Sequence, residues 1–352
     1  MKILVISLAG IGDTLFTTPL IHELRANFPG AIIDALVMWP GSKDLLENNP
    51  HVNRVFQKNL LTCSRTETLR FLWPLRGERY QVSINTYPQS RIHYRGVAWL
   101  AGAQTRISHV YECFSLLDRW LANRTLPQDY SLHAVENNLA VLPLIGAKQK
   151  LPAHDLEIFL TPAEQNWADD FLVANRLVGK KWLGIHIGSG GTKNLAFRRW
   201  PLGNFIRLSR QLQSEKRGLP ILFFGGSAEQ DDHEKLRREL PGALFPPTLN
   251  LRQAAALLRQ AGAFLSVDTA LMHLAAAMKV PGQVVIETPT WNRPIEPYGN
   301  PFTLVKNQVV AGRNLDYYRY DGGDIKATRE ELLACMESVR VEDVFGAVTK
   351  LF

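Results

Sequence analysis

The feature that most constrains this chain is an alternation of apolar periods that occurs twice. Residues 3–8 form an apolar run of the kind that a strand buried on both faces requires. From Thr14 to Phe28 the apolar positions Leu15, Leu20, Leu24 and Phe28 recur near helical spacing before Pro29-Gly30 stops the helix. A second apolar run over 31–38 follows at once. Parallel strands need a crossover between them, so this order predicts a doubly wound parallel sheet, with 82–85 as a further strand.

Near Pro152 the pattern resets. Thr161-Pro162-Ala163-Glu164 places a hydroxyl, a proline and an acid where a helix starts. Strands over 182–187, 219–224, 263–267 and 283–286 then alternate with helices over 201–215, 229–239 and 270–278. The stretch 328–351 predicts one or two helices packed through Leu332, Leu333, Met336, Val339, Val344 and Val348. The expected fold class is α/β: a Rossmann-like domain over 1–158, a second over 159–327 and terminal helices over 328–352. Ligands of such sheets bind at the carboxyl ends of strands, here in a cleft between the domains.

At 352 residues the chain can bury two cores without disulfides or metals, which excludes small stapled scaffolds. Cys63, Cys113 and Cys335 lie far apart with no C-x-x-C pair, read as buried thiols of a reducing compartment. The first apolar run is cut short by Gly10, Gly12 and Asp13, so it reads as a strand and not a signal peptide. No apolar run reaches the length of a membrane span.

Four constellations carry chemistry. After the first strand, Gly10-Ile11-Gly12-Asp13-Thr14 turns tightly into a helix; Asp13 is either a helix N-cap or a general base held by a rigid loop. Leu15 stands where a dinucleotide fingerprint needs a third glycine, and Asp34 lies mid-strand, which disfavours NAD. The second constellation runs from His186 through Gly188-Ser189-Gly190-Gly191-Thr192 to Arg198-Arg199-Trp200-Pro201, and it either cradles a phosphate or is a solvated loop. The third is Asp268-Thr269 at a strand end, with His273 four residues after Thr269 on one helix face: caps and a core histidine, or a site for a nucleotide diphosphate.

The fourth is charge. The sequence has 40 Lys+Arg against 33 Asp+Glu, a net +7. Between Lys58 and Arg106 eight basic residues, among them Arg65, Arg91 and Arg95, face only Glu67 and Glu78, leaving +6 there. Trp73, Tyr80, Tyr87, Tyr94 and Trp99 are interleaved and suit stacking on sugar rings or bases; the plainer reading is a solvated basic face. No nucleic-acid motif accompanies the charge, so nucleic acid is not an expected partner. No metal constellation and no G-x-S-x-G elbow is present, so neither a metal site nor a serine hydrolase is expected.

Together these pieces resemble glycosyltransferase family 9, the ADP-heptose:lipopolysaccharide heptosyltransferases of GT-B architecture. The resemblance rests on Gly12-Asp13-Thr14-Leu15, Asn49-Pro50-His51-Val52, Arg198-Arg199-Trp200-Pro201, Gly226-Ser227-Ala228-Glu229, 268–275 and the Thr288-Pro289-Thr290 turn. It implies an inverting, metal-independent transferase without a cofactor, moving L-glycero-D-manno-heptose from ADP-heptose onto an anionic lipopolysaccharide core. Such an enzyme is soluble or peripherally bound at the cytoplasmic face of the inner membrane.

By resemblance, Asp13 is the catalytic base. Ser189, Gly190, Thr192 and Arg198 hold the diphosphate, Glu229 lies on the nucleoside side, and Asp268, Thr269 and His273 complete the donor site. Gly12, Thr14, Arg65, Arg91 and Arg95 are the candidate acceptor contacts. Another nucleotide-sugar donor on a cell-surface glycan, or a non-catalytic sugar-binding protein, are the alternatives.

Overall fold

A computed structural model describes residues 1–189, 195–216 and 218–352. The chain forms two compact units: Met1–Phe159 with Arg319–Gly323, and Leu160–Tyr318 with Asp324–Phe352. A division of the chain at 158/159 and 327/328 does not contain the return of 319–323 to the first unit.

The first unit is built on six parallel strands, β1 (Lys2–Ser7), β2 (Ile32–Val37), β3 (Arg54–Gln57), β4 (Val82–Asn85), β5 (Thr105–Val110) and β6 (Arg124–Pro127). Their spatial order is β3-β2-β1-β4-β5-β6, with Ile3 paired to both Ile33 and Val82. The chain winds outward from β1 to β3, then restarts on the other side of β1. The switch point, where ligands of such sheets bind, therefore lies at the carboxyl ends of β1 and β4. Leu4, Ile6, Leu36, Tyr80 and Ala98 are fully buried in its core.

The single helix expected over 14–28 is two, Ile11–Leu15 and Thr18–Asn27. The hydroxyls of Thr17 and Thr18 donate to the carbonyls of Thr14 and Leu15 at 2.7 and 2.8 Å. Such bonds offer the backbone an alternative to the helical ladder, and the break falls there. The returning segment packs Tyr320 against Tyr87 (centroids 5.2 Å apart, edge-on) and Tyr130 (5.8 Å, stacked). Its backbone N–H donates to the Tyr130 hydroxyl at 2.7 Å.

The second unit has β7 (Leu183–His186), β8 (Ile221–Phe224), β9 (Ala263–Ser266), β10 (Gln283–Ile286) and β11 (Phe302–Val305), all parallel, in the order β11-β10-β9-β7-β8. Its switch point lies between β7 and β9. The helix Pro162–Ala174 opens on the expected reciprocal cap: Thr161 Oγ1 accepts from the Glu164 N–H, and Glu164 accepts from the Thr161 N–H at 2.7 Å. The same carboxylate holds the buried Arg252 at 2.8 Å.

The terminal stretch forms two helices, Arg329–Glu337 and Val341–Thr349. Met336, Val344 and Val348 are buried in the second core. Leu333, expected to pack, is 37% exposed, because Leu332, Cys335 and Met336 at helical spacing occupy the inward face. The thiols differ too: Cys335 is buried, Cys63 half-buried and Cys113, contrary to expectation, exposed on the loop before the helix Leu116–Leu121. Among the described residues no helix is long and apolar enough to cross a membrane.

Candidate active site

At the first switch point Gly10 is the N-cap of the Ile11–Leu15 helix, and Asp13 is its third residue. Asp13 Oδ2 accepts from the Gly10 N–H at 2.6 Å, which fixes the carboxylate against its own loop. Asp13 is thus half-buried beside the turn, and the cap position assigned to it as an alternative belongs to Gly10. The loop is fastened from beneath. Thr14 Oγ1 donates to Ser42 Oγ at 2.8 Å and lies 3.1 Å from Ser7 Oγ, all three fully or almost fully buried. Thr14, a candidate acceptor contact, is therefore a brace with its hydroxyl spent. Gly12 is half-buried in the turn, its carbonyl accepting from the Phe16 N–H.

Gln89, which the sequence pattern did not single out, ties the two sides of this switch point. Its Oε1 accepts from the Leu8 N–H at 3.2 Å, and its Nε2 donates to the carbonyls of Ile6 and Thr86. Beside it, burial pushes up the pKa of the Tyr87, Tyr94 and Tyr111 phenols, and the charge of Asp13 adds to the shift. The acid therefore faces neutral phenols. The Tyr87 hydroxyl is buried with no hydrogen-bond partner among the described residues.

Of the basic candidates, Arg95 is fully buried. It donates to Asp118 and to the carbonyls of Gln89 (3.1 Å) and Ser90 (2.9 Å), so it braces the loop after β4 and presents no donor outward. Arg91 is half-buried just outside that loop, and Arg65 is exposed at the start of the helix Arg65–Leu72. Asp34, disfavoured as a ribose ligand, is fully buried and spent on Arg54 (2.7 Å) and Tyr80 (2.6 Å).

At the second switch point, Ser189 follows β7 through Gly188 and is 3% exposed. A Cβ at Gly188 would come within 2.3 Å of Glu229 Oε1 and 2.9 Å of His186 Nε2, so only glycine admits this approach of chain and carboxylate. Gly190 and Thr192 lie outside the described residues. Trp200 is buried and donates from Nε1 to the Val339 carbonyl at 2.9 Å, which anchors the preceding arginines. Arg198 donates from one terminal nitrogen to Asp268 Oδ2 (2.9 Å) and Thr290 Oγ1 (2.5 Å). Its Nε–H is buried without a partner among the described residues. Arg199 binds Glu229 Oε1 at 3.1 Å, while Glu229 Oε2 accepts from the Gly226 N–H at 2.9 Å.

Thr269 caps the helix Ala270–Ala277, accepting from the Met272 N–H at 3.3 Å, and its hydroxyl meets His186 Nδ1 at 3.2 Å. His273 Nε2 lies 3.9 Å from Asp268 Oδ1. Burial depresses the pKa of His186 and of His273 to about 3, so both are neutral at physiological pH; for His186 the charges of His233 and Arg199 act in the same direction. Burial pushes the Asp268 carboxyl up, and Arg198 opposes the shift. Ser189, Glu229, Asp268-Thr269 and Thr290 follow β7, β8, β9 and β10 in turn, so the ends of four adjacent strands bring polar groups to one edge of the sheet.

Among the described residues, His22, His51 and Glu157 are the group whose ligand atoms lie within 4.8 Å of one another. His22 Nδ1 is 2.8 Å from Glu157 Oε1. His51 precedes β3, so this group lies at the amino edge of the first sheet, opposite the Asp13 loop.

Two doubly wound parallel sheets of this kind define the GT-B architecture. The profile of glycosyltransferase family 9 (heptosyltransferase) matches residues 69–318, and the chain belongs to that family: it is a glycosyltransferase. The match takes in the whole second switch point and begins after the Asp13 loop. The chain is 27% identical over 284 residues to lipopolysaccharide heptosyltransferase 3 of Escherichia coli (strain K12), covering 77% of this chain and 78% of the relative. It is 26% identical over 344 residues to lipooligosaccharide heptosyltransferase 2 of Haemophilus influenzae, covering 90% and 92%. Among solved structures, E. coli heptosyltransferase WaaC with ADP-2-deoxy-2-fluoro heptose superposes with a TM-score of 0.71 at 18% identity over 99% of both chains, a likeness of fold.

Proposed function

We propose that this glycosyltransferase moves heptose from ADP-heptose, with inversion and without a metal, onto a lipopolysaccharide core acceptor at the cytoplasmic face of the inner membrane. The observation that carries the donor side is Arg198. Its Nε–H is buried and has no partner among the described residues, beside the N-terminus of the Ala270–Ala277 helix, where an anion gains from both charge and backbone N–H groups. The heptosyltransferase names of the relatives support the sugar and the acceptor.

In this reading an acceptor hydroxyl attacks the anomeric carbon, its proton passes to Asp13, and the bond from that carbon to the diphosphate oxygen breaks. Arg198, Ser189 and the helix N-terminus stabilise the charge gathering on the leaving diphosphate. Glu229 serves the nucleoside side. His273 and Asp268 shape the donor pocket, and Arg65 and Arg91 offer charge to acceptor carboxylates or phosphates.

Titration calorimetry with ADP, UDP and GDP, in a chelator, tests the donor. ADP binding is expected. Preference for UDP or GDP redirects the reading to another nucleotide sugar, and absence of binding by all three removes it.

A further inference from the structure

Soluble domains seldom leave large aromatic side chains in water side by side. In the first unit Trp73 is 61% exposed, Trp120 57%, Leu116 83% and Leu117 53%. They belong to one surface. The Arg76 guanidinium lies 5.2 Å from the Trp73 ring and donates to the Trp99 and Leu100 carbonyls, and Trp99 lies 5.1 Å from Trp120. Leu116 and Leu117 stand one helical turn before Trp120 and share its face.

The exposed charges on the same elements are mostly positive, with Glu67 the exposed acid. Arg65, Arg70, Arg76, Arg79 and Arg119 are exposed. The acids there are committed: Glu67 to its own helix cap at Ser64, Glu78 to Arg54 and Lys2, and Asp118 to Arg95. The face therefore presents tryptophan, leucine and arginine together, side chains that seat in a membrane interface with indole and aliphatic parts among the acyl chains and guanidinium groups at phosphate level. A second copy of the same face would bring arginine against arginine.

We propose that the Trp73–Trp99–Trp120 face docks the first unit onto an anionic lipid bilayer. The docking is independent of donor chemistry and is measurable without any sugar. The full chain is mixed with phosphatidylcholine vesicles, with and without phosphatidylglycerol, and sedimented. It is expected to partition onto the anionic vesicles and to be released by salt.

Trp73→Ser with Trp120→Ser should lower partitioning roughly tenfold or more. Arg70→Glu or Arg79→Glu should lower it by about fivefold per charge removed. Leu116→Glu, at the most exposed position, decides the matter if the tryptophan variant does not fold. Nucleotide binding and thermal melting are expected to stay unchanged in Leu116→Glu, so failure of the transferase reading and failure of docking are separable. Absence of wild-type binding to anionic vesicles at low salt overturns the proposal. So does equal partitioning of the variants, or self-association that Leu116→Glu abolishes.

Discussion

Each unit is a doubly wound parallel sheet with a switch point of its own, six strands in one and five in the other, yet their strand-end loops are finished in opposite ways. At the first, a short helix holds one carboxylate, half-buried, against its own backbone and among phenols that stay neutral. At the second, buried imidazoles are kept uncharged while Arg198 reaches the same edge with its Nε–H unpartnered among the described residues. The contrast teaches that a doubly wound sheet supplies only the place. Which polar groups the strand-end loops bring to that place decides whether it suits taking up a proton or holding an anion.

The most direct way to break the comparison is Asp13→Asn. If the first loop serves proton transfer alone, turnover should fall by about 10³-fold while ADP affinity, read by calorimetry, stays within a factor of two. Retained turnover would end the assignment of Asp13 as base. Next in size is Arg198→Gln, which removes the cation of the second loop and leaves Asp268 buried without its partner. Nucleotide-diphosphate binding should weaken by about 10²-fold in the same titration, and unchanged affinity would place the anion elsewhere.

The smallest effect concerns acid. Native His186 stays neutral down to about pH 3, while its unfolded-state counterpart takes up a proton below about 6.5. The unfolded state thus binds more protons in that window, so the contribution of His186 to stability falls as pH drops from about 6.5 towards 4 and is constant above. In denaturant unfolding across that range, His186→Asn should be less steep than the wild type by about 1.4 kcal/mol per pH unit. Equal slopes would mean that the native imidazole is charged.

Much of this was legible in the residues. Apolar runs and helical spacing marked the strands of both sheets' centres because those strands are buried on both faces, and Thr161-Pro162-Ala163-Glu164 marked a helix start because its cap is local. The short outer strands β3, β6 and β11 escaped notice, as did β5 inside the first sheet, whose Thr105, Arg106 and Val110 are half-buried. They are only half-buried or exposed along much of their length and carry no clean period. In the candidate site, Ser189, Arg198, Asp268, Thr269 and His273 follow strand ends and share one edge of the second sheet. Arg95 and Thr14 could not be told from ligand contacts by sequence, since a buried arginine and a surface one differ only in partners, here Asp118 and two carbonyls, that lie far along the chain or behind the loop. Gln89 was missed for the same reason: its bonds run to residues 81 and 83 positions earlier.

The return of Arg319–Gly323 to the first unit also sets a schedule for synthesis. Tyr320 closes the aromatic stack on Tyr87 and Tyr130, so the first unit lacks one of its own core rings until the ribosome has translated nearly the whole second unit. At the usual pace of elongation that interval is on the order of ten seconds. During it the nascent first sheet holds Tyr87 against His109 and Tyr111 alone, without the Tyr320 ring. A gene fragment ending near residue 159 would make that interim state permanent, so dissecting this enzyme into halves at the obvious point in the sequence would yield a first half with an open flank.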